Sequence, residues 1–223
     1  MVKSKYINSM LAKARQNLKT IVLPEGEDER VLEAAHIVNE EQAAKIIVLG
    51  DVAQMKSYFA QKGWPTDGIE FIKPEESPRL REYTELLYEL RKEKGLSRED
   101  AAELALNYNY FGTLMIKSGH ADGMVSGACH STADTLRPCL QILKTAPGTK
   151  LVSSFFVMDV PDCEYGEDGL FIFSDCGLNI YPNADELSEI AIASAESYAN
   201  LCAATPRVAM LSFSSYGSGK GES

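Results

Sequence analysis

Short apolar segments alternate with helical segments over the first third of the sequence, and this alternation limits the fold more than any other feature. Apolar runs predict three short buried strands, at residues 21–23, 45–49 and 69–72. Patterns with a helical period predict helices at residues 2–18, 28–39 and 52–62. Strands separated by helices are connected as βαβ units, so the sequence predicts an α/β fold with a largely parallel sheet.

A helical insert follows the third predicted strand. The insert contains three helical patterns: one at residues 78–94, one that begins after the N-cap candidate Ser97, and one at residues 108–117. The next apolar segment begins at Gly123. The residues Thr145-Ala146-Pro147-Gly148 then interrupt the pattern. We therefore predict two domains, an α/β domain with the helical insert at residues 1–147 and a second α/β domain at residues 148–223.

The second predicted domain has longer strands and fewer helices. Residues 151–160 and 169–174 are apolar runs joined by a polar turn, which predicts an antiparallel hairpin. Asn183 or Asp185 is expected to cap a helix that extends to about residue 200. Residues 208–211 predict a last strand.

Residues 121–138 form the most informative segment, with the sequence ADGMVSGACHSTADTLRP. A short strand, a turn of small residues and a helix that begins at Ser131 or Thr132 would together expose free backbone amides at a helix N-terminus, which favours anions. Arg137 would add a guanidinium group that suits phosphate or carboxylate. The alternative is an ordinary strand–helix turn with a surface arginine, and composition supports the two interpretations equally.

Composition excludes several classes of function. A net charge of −10 argues against a nucleic-acid-binding surface, which needs a clustered basic face. The five cysteines are widely spaced without a CxxC pair, so we expect free thiols, no zinc site and no disulfide. No apolar run approaches the roughly 20 residues that span a bilayer. The basic N-terminal segment is interpreted as an ordinary first helix rather than a transit peptide, and we expect a cytoplasmic protein.

Several acidic and histidine residues have no assigned chemistry at this level. The acidic run Glu25 to Glu29 is interpreted as a solvated turn. His36 lies on a predicted helix as a packed or surface residue, and His120 lies beside a turn with no evident partner. His130 belongs to the informative segment, where acid–base work, phosphate binding and a structural hydrogen bond are all open to it. Cys176 is interpreted as a buried, inert thiol.

The end of the sequence is rich in glycine and hydroxyl side chains, with residues 212–221 reading SFSSYGSGKG. Such a loop after a strand can bring backbone amides close to a phosphate. It matches neither the P-loop pattern nor the dinucleotide glycine fingerprint. The residues alone favour a flexible linker.

Several segments together resemble one known family. Residues 121–138 are similar to the signature of the phosphate acetyltransferases, within the phosphate acetyl/butyryltransferase group. Further matches follow the same order along the chain: LPEGEDERVLEAA, LYELRKEKG, SDCGLNIYPNADELSEIAIASAES and PRVAMLSFSSYGSGKGES. The resemblance covers nearly the whole chain.

The resemblance implies a fold and an activity. Family members have two α/β domains in a three-layer fold similar to isocitrate and isopropylmalate dehydrogenases, with the active site in an interdomain cleft. They move an acetyl group reversibly between coenzyme A and inorganic phosphate. It therefore implies acetyl-CoA, phosphate and acetyl phosphate as partners, no permanently bound cofactor, no metal, no nucleic acid, no membrane and a homodimer.

The resemblance also implies which residues bind substrate. Arg137 is expected to bind the phosphate, and Arg91 the phosphate or the coenzyme A end. The remaining candidates come from the turn and from the terminal loop: Ser126, Gly127, His130, Ser131, Thr132, Ser214, Ser215, Gly217, Ser218 and Gly219. It also places Cys176 near the cleft.

Family members continue well beyond the GSGKGES-like segment, so the resemblance implies that a C-terminal part, including the expected catalytic base, lies beyond Ser223. The second domain would then be incomplete, and the first would lack a helix that returns to it. A fragment, an incompletely described chain and a truncated gene are the three explanations, and under each of them the 223-residue chain can be inactive by itself.

Three alternatives to the acetyltransferase remain open at this level. The transferred group can be butyryl rather than acetyl. The chain can be a non-catalytic module that senses or binds an acyl phosphate or a nucleotide. An oxidoreductase of the same fold group is disfavoured because the glycine fingerprint for a dinucleotide is missing.

Overall fold

The computed structural model describes residues 4–211 and divides into two compact units. One unit is Leu11–Lys144. The other begins at Thr145 and includes the N-terminal stretch up to Met10.

The first unit is built around a four-stranded parallel sheet. Its strands are β1 (Thr20–Leu23), β2 (Lys45–Leu49), β3 (Ile69–Ile72) and β4 (Gly123–Met124), and their spatial order is β3-β2-β1-β4. The helices are α1 (Lys5–Gln16), which spans the division between the units, then α2 (Glu29–Glu40), α3 (Val52–Lys62), α4 (Leu80–Arg91), α5 (Arg98–Leu106), α6 (Tyr108–Lys117) and α7 (Thr132–Pro138). Short 3₁₀ turns follow β3 and α4, and a π-helical turn, Cys139–Leu143, follows α7.

The alternating directions of the side chains along the central strand β2 explain the layers of this unit. Successive side chains of a strand point to opposite faces. Ile47 and Leu49 accordingly pack with α4, α5 and α6, whereas Ile46 and Val48 pack with α2 and α3. The parallel sheet is therefore covered by helices on both faces, and the carboxyl ends of all four strands meet at one edge.

The second unit is smaller. Strands β5 (Phe155–Asp159) and β6 (Leu170–Ser174) form an antiparallel hairpin. Helix α8 (Ala184–Cys202) packs against β6 through the buried Ile190.

The predicted elements agree closely with the structure in the first unit. The predicted bounds of β2, α3, β3 and α6 are confirmed to the residue, and Ser97 is confirmed as the N-cap of α5. The helix predicted at residues 78–94 is shorter, because it begins at Leu80 and ends at Arg91 before a 3₁₀ turn.

Two predictions for the second unit were less accurate. The strand predicted at residues 151–160 is only Phe155–Asp159. The strand predicted at residues 208–211 is wrong, because these residues have no regular structure and their side chains are exposed. An apolar run becomes a strand only where a neighbouring strand pairs with it, and none among residues 4–211 does so here.

The N-terminus of α8 carries a complete capping box. The Asn183 side chain accepts from the Glu186 amide at 3.0 Å, and the Glu186 carboxylate accepts from the Asn183 amide at 2.9 Å. Asn183→Ala should destabilise the second unit by about 1 kcal/mol, since the first turn loses its acceptor. Urea unfolding followed by circular dichroism measures this loss, and Asn183→Asp is the control expected to retain stability. Equal midpoints for the alanine variant and the wild type would contradict the assignment.

Within residues 4–211, no helix is both long enough and apolar enough to cross a membrane.

Candidate functional site

The informative turn lies at the carboxyl edge of the parallel sheet. It follows β4 and leads into α7. The predicted helix start is confirmed, because Ser131 is the N-cap and its Oγ accepts from the Asp134 amide at 3.2 Å. Gly127 has φ near +111°, a conformation that a side chain would disfavour, so the turn depends on glycine at this position.

A protein carboxylate occupies the centre of the turn. The amides of Gly127 and Ala128 donate to Glu25 Oε2 at 3.0 and 2.9 Å. The amides of Cys129 and His130 donate to Glu25 Oε1 at 3.0 and 3.1 Å, and His130 Nδ1 lies 2.8 Å from the same oxygen. We call this arrangement the Glu25 clasp, and it joins the segment after β1 to the segment after β4.

The interpretation of Glu25 to Glu29 as a solvated turn is therefore wrong for its first residue. Glu25 is only 1% exposed, whereas Glu27 and Glu29 are exposed. The reason is topological, because β1 and β4 are neighbours in the sheet and Glu25 faces the turn after β4. The four amides already have an acceptor, so an external phosphate could contact them only by displacing Glu25.

The electrostatics of Glu25 follow from these contacts. Burial opposes ionisation of the carboxyl group, but the hydrogen bonds from the Cys129 amide, from His130 and from the Ala128 amide outweigh it and lower the pKa of Glu25 to about 2. Glu25 is therefore a carboxylate at neutral pH. A carboxylate only accepts, so the His130 ring must carry its hydrogen on Nδ1.

Glu25, Cys129 and His130 could in principle hold a metal ion, because their ligand atoms lie within 4.8 Å of one another. The contacts argue for a hydrogen-bond network instead. Both oxygens of Glu25 are already engaged, and desolvation together with the carboxylates of Glu27 and Glu25 raises the pKa of Cys129 to about 12. The Glu25 carboxylate could bind a metal ion only by giving up hydrogen bonds that it already accepts.

The raised pKa of Cys129 predicts an unreactive thiol. In the folded chain at pH 8, iodoacetamide should alkylate Cys129 at least several-fold more slowly than in the urea-unfolded chain, since only the thiolate reacts. Glu27→Gln should accelerate the reaction, because it removes a carboxylate whose Oε1 lies 3.6 Å from the sulfur. Mass spectrometry of the Cys129 peptide measures both rates. Equal rates in the folded and unfolded chains would contradict this prediction.

The charges of two arginines from separate helices both affect one tyrosine. Arg91 ends α4 and is half-buried, whereas Arg137 lies in the last turn of α7 and is exposed. Burial raises the pKa of Tyr110, and the charges of Arg137 and Arg91 oppose the rise. The Tyr110 hydroxyl donates to Gln141 Oε1 at 2.9 Å. Both guanidinium charges therefore lie near enough to Tyr110 to affect its pKa.

Neither guanidinium group is bound by another residue in the part of the chain that the structure describes. Within residues 4–211, the guanidinium groups of Arg91 and Arg137 make no hydrogen bond or ion pair, in contrast to those of Arg30 and Arg98, which bind carboxylates. The charge of Arg137 does reach one carboxylate, that of Asp134. The pKa of Asp134 is lowered mainly by its hydrogen bond with the Ser131 side chain and also by the charge of Arg137.

Comparison with known proteins assigns the chain to a family. A family model described as phosphate acetyl/butaryl transferase matches residues 5–223. The chain belongs to this family. The resemblance inferred from the sequence motifs is thereby confirmed.

Relatives within the family share up to half of the sequence. The chain is 50% identical over 217 residues to the phosphate acetyltransferase of Acetivibrio thermocellus and 47% identical over 216 residues to that of Clostridium acetobutylicum. Each alignment covers 97% of this chain and 65% of the relative, so the chain spans just under two thirds of the length of these curated relatives.

Solved structures in the same family have the same fold. A phosphotransacetylase from Streptococcus pyogenes superposes with a TM-score of 0.86 at 38% identity, which covers all of this chain and 66% of that one. The EutD phosphotransacetylase from Staphylococcus aureus gives 0.83 at 41% identity, covering 97% and 63%. These likenesses support a mixed α/β fold with a parallel sheet.

Two other residues predicted for the site, Ser126 and Thr132, lie in the same segment but form no hydrogen bond with Glu25 in the described part of the chain. Ser126 is half-buried and its Oγ donates to Oδ1 of the buried Asn109 at 2.7 Å, while Thr132 is the exposed first residue of α7. The terminal-loop candidates all lie outside the described residues: Ser214, Ser215, Gly217, Ser218 and Gly219.

The other histidines are held by neighbours. His36 stacks on Trp64 with ring centroids 4.3 Å apart. The expectation that His120 lacks a partner is wrong, because its Nδ1 lies 2.8 Å from the Tyr83 hydroxyl and its Nε2 accepts from Arg79 at 2.6 Å. Tyr83 is buried, and burial raises its pKa to about 12.

In the second unit, the SDCGLN segment is organised by Asp175. Its carboxylate accepts from the Ser154 hydroxyl and from the amides of Gly177 and Leu178, at 2.5, 2.8 and 3.0 Å. Burial opposes ionisation, but these hydrogen bonds prevail and lower the pKa of Asp175. Cys176 is half-buried and its Sγ donates to Ser154 Oγ at 3.3 Å.

Glu25 and Asn109 contact the turn, and neither was among the site residues predicted from the sequence. The signal for Glu25 was available, since it lies in LPEGEDER, one of the segments that match the family. Its position directly after a buried strand could also have placed it at the carboxyl edge of the sheet. Asn109 lies inside the helical pattern of α6, and nothing in that pattern distinguishes it.

Proposed function

We propose that the chain takes part in the reversible transfer of an acetyl group between coenzyme A and inorganic phosphate, by which acetyl-CoA and phosphate give coenzyme A and acetyl phosphate. The main support for this proposal is that the chain is 50% identical to a phosphate acetyltransferase over nearly the whole length of the chain. Arg91 and Arg137 support the proposal, because both charges affect Tyr110 and neither guanidinium group has an ion-pair partner among residues 4–211.

Arg137 binds the phosphate in this proposal, and Arg91 binds the phosphate or the coenzyme A end. Two cations suit the phosphate dianion in an otherwise acidic chain. The Thr132 hydroxyl at the start of α7, together with the terminal loop at Ser214 to Gly219, would add further donors. The Ser131 hydroxyl donates to Asp134 Oδ2 at 2.7 Å in the structure and would have to exchange this bond for one to the phosphate. Holding both substrates in one site supplies much of the rate, and donors that face the developing oxyanion lower the barrier.

The proposal also includes the domain arrangement, the location in the cell, the oligomeric state and the partners of the protein. We infer a two-domain fold of the isocitrate and isopropylmalate dehydrogenase kind, with an interdomain cleft and a boundary near Pro147. We also infer a cytoplasmic homodimer in acetate metabolism. Coenzyme A is a substrate, with no permanently bound cofactor, and neither nucleic acid nor membrane is a partner.

Transfer of a butyryl group is the second candidate. The description of the matching family names both acyl groups. The names of the similar relatives favour acetyl.

Thioester formation from coenzyme A and acetyl phosphate tests the proposal. The purified chain should form acetyl-CoA, and butyryl phosphate should react more slowly. Isothermal titration with acetyl phosphate is measured in parallel. Binding without turnover is the result expected of a non-catalytic module and also of a chain whose catalytic base lies beyond Ser223, and turnover by a longer form of the enzyme distinguishes the two. The absence of both binding and turnover would overturn the proposed function.

A further inference from the structure

The Glu25 clasp contains a carboxylate–imidazole pair that the substrate-binding assignments do not use. We propose that Glu25 is a positioning residue that acts through His130, holding its ring so that Nε2 exchanges a proton with the phosphate substrate. This inference rests on the proposed acetyl transfer. It assigns a role to two residues that lie on different strand ends, Glu25 after β1 and His130 after β4.

The geometry fixes which nitrogen is available. Glu25 is a buried carboxylate and can only accept, so the Nδ1 atom of His130, 2.8 Å away, carries hydrogen. The neutral ring then has its lone pair on Nε2. Within residues 4–211, no hydrogen bond engages Nε2, and the side chain of His130 is 25% exposed against 1% for Glu25. The ring is thus anchored on one side and open on the other.

The imidazole bond is not needed to tie the turn to Glu25. Four backbone amides already tie the turn to Glu25. The bond to Nδ1 adds a fifth donor to the same carboxylate, and its effect is to orient the ring and select its tautomer. An oriented imidazole with one free nitrogen is the arrangement that proton transfer requires.

In the proposed function, the phosphate half of the reaction takes place beside the turn that holds His130. His130 directly precedes Ser131, the N-cap of the helix that carries Arg137. In the direction of acetyl phosphate synthesis, a phosphate oxygen attacks the thioester carbon. The new carbon–oxygen bond forms, the carbon–sulfur bond breaks, and sulfur leaves with the electron pair as the thiolate. The proton of the attacking phosphate oxygen passes to Nε2. In the reverse direction, Nε2–H returns the proton to the leaving phosphate oxygen.

The first test is independent of turnover. Nitrogen NMR of the imidazole rings in the full chain should show His130 as the Nδ1–H tautomer, and inorganic phosphate should perturb its Nε2 signal whereas chloride at equal ionic strength should not. In Glu25→Gln the Nδ1–H form should lose population. A His130 ring in the Nε2–H form, or one that does not respond to phosphate, would overturn the inference even if the chain is an active transferase.

The second test separates orientation from chemistry. His130→Asn keeps a side-chain N–H donor near the position of Nδ1 but lacks Nε2. We expect it to fold as the wild type does and to lose about a hundredfold in turnover, with little change in KM for coenzyme A. His120→Asn makes the same replacement away from the turn and should retain turnover. Wild-type turnover in His130→Asn would refute the role of Nε2. The NMR test decides the positioning role whether or not the wild-type chain turns over.

Discussion

Glu25→Gln is expected to lower the free energy of unfolding of the first unit by about 2–4 kcal/mol at pH 7. The amide cannot replace the carboxylate, because it keeps one acceptor oxygen and turns an NH₂ group toward backbone N–H donors or the Nδ1–H of His130. These donors are then left without an acceptor at a buried position. Trp64, the single tryptophan, belongs to the same unit, so its fluorescence during urea unfolding measures the loss.

The same variant should change the acid stability in a defined direction. The pKa of Glu25 is depressed in the folded chain, from an ordinary value of 4.5 to about 2. Its contribution, about 3 kcal/mol, is therefore fully present above the unfolded value of 4.5 and is lost as the pH falls toward 2. The stability difference between wild type and Glu25→Gln should shrink over this window.

Glu33→Gln is the matched control, because Glu33 is exposed on α2 and outside the clasp. It should leave both the midpoint at pH 7 and its acid dependence close to those of the wild type. A difference between wild type and Glu25→Gln that stayed constant from pH 5 to pH 3 would show that the Glu25 carboxylate is not the stabilising charge.

Arg137→Ala is expected to weaken the binding of inorganic phosphate by about ten- to a hundredfold and to cripple turnover. Loss of a charge-assisted contact typically costs about 1.5–3 kcal/mol, which corresponds to about one to two orders of magnitude in affinity. The backbone amides of the turn already serve Glu25, so the side-chain cation must carry more of the phosphate binding than a free turn would require. Isothermal titration with phosphate and the thioester assay measure the two effects.

Two further variants sharpen this result. Arg137→Lys should recover only part of the affinity, since a point charge cannot reproduce the planar fork of donors. Arg81→Ala removes a guanidinium group from the exposed face of α4 and should leave phosphate binding unchanged. If Arg137→Ala kept both the phosphate affinity and the rate, the assignment of Arg137 to the phosphate would have to be abandoned.

The sequence by itself determined the elements whose signals are local. The apolar run at Lys45–Leu49 is a central strand because residues with high strand propensity lie between turn signals. The start of α7 could be predicted because capping is local: the oxygen of an N-cap serine accepts a hydrogen bond from an amide only two or three residues further along the chain. The order of the family motifs, which spans nearly the whole chain, was likewise present in the sequence.

The tertiary structure alone decided which distant groups meet. Glu25 and His130 are separated by 105 positions in sequence, and they touch because β1 and β4 became neighbours in the sheet. Arg91 and Arg137 act on Tyr110 because three helices pack together. A run of residues specifies its own periodicity, but burial and ionisation depend on what other segments bring near. For that reason an acidic stretch that reads as a solvated turn contains the buried carboxylate on which the site is built.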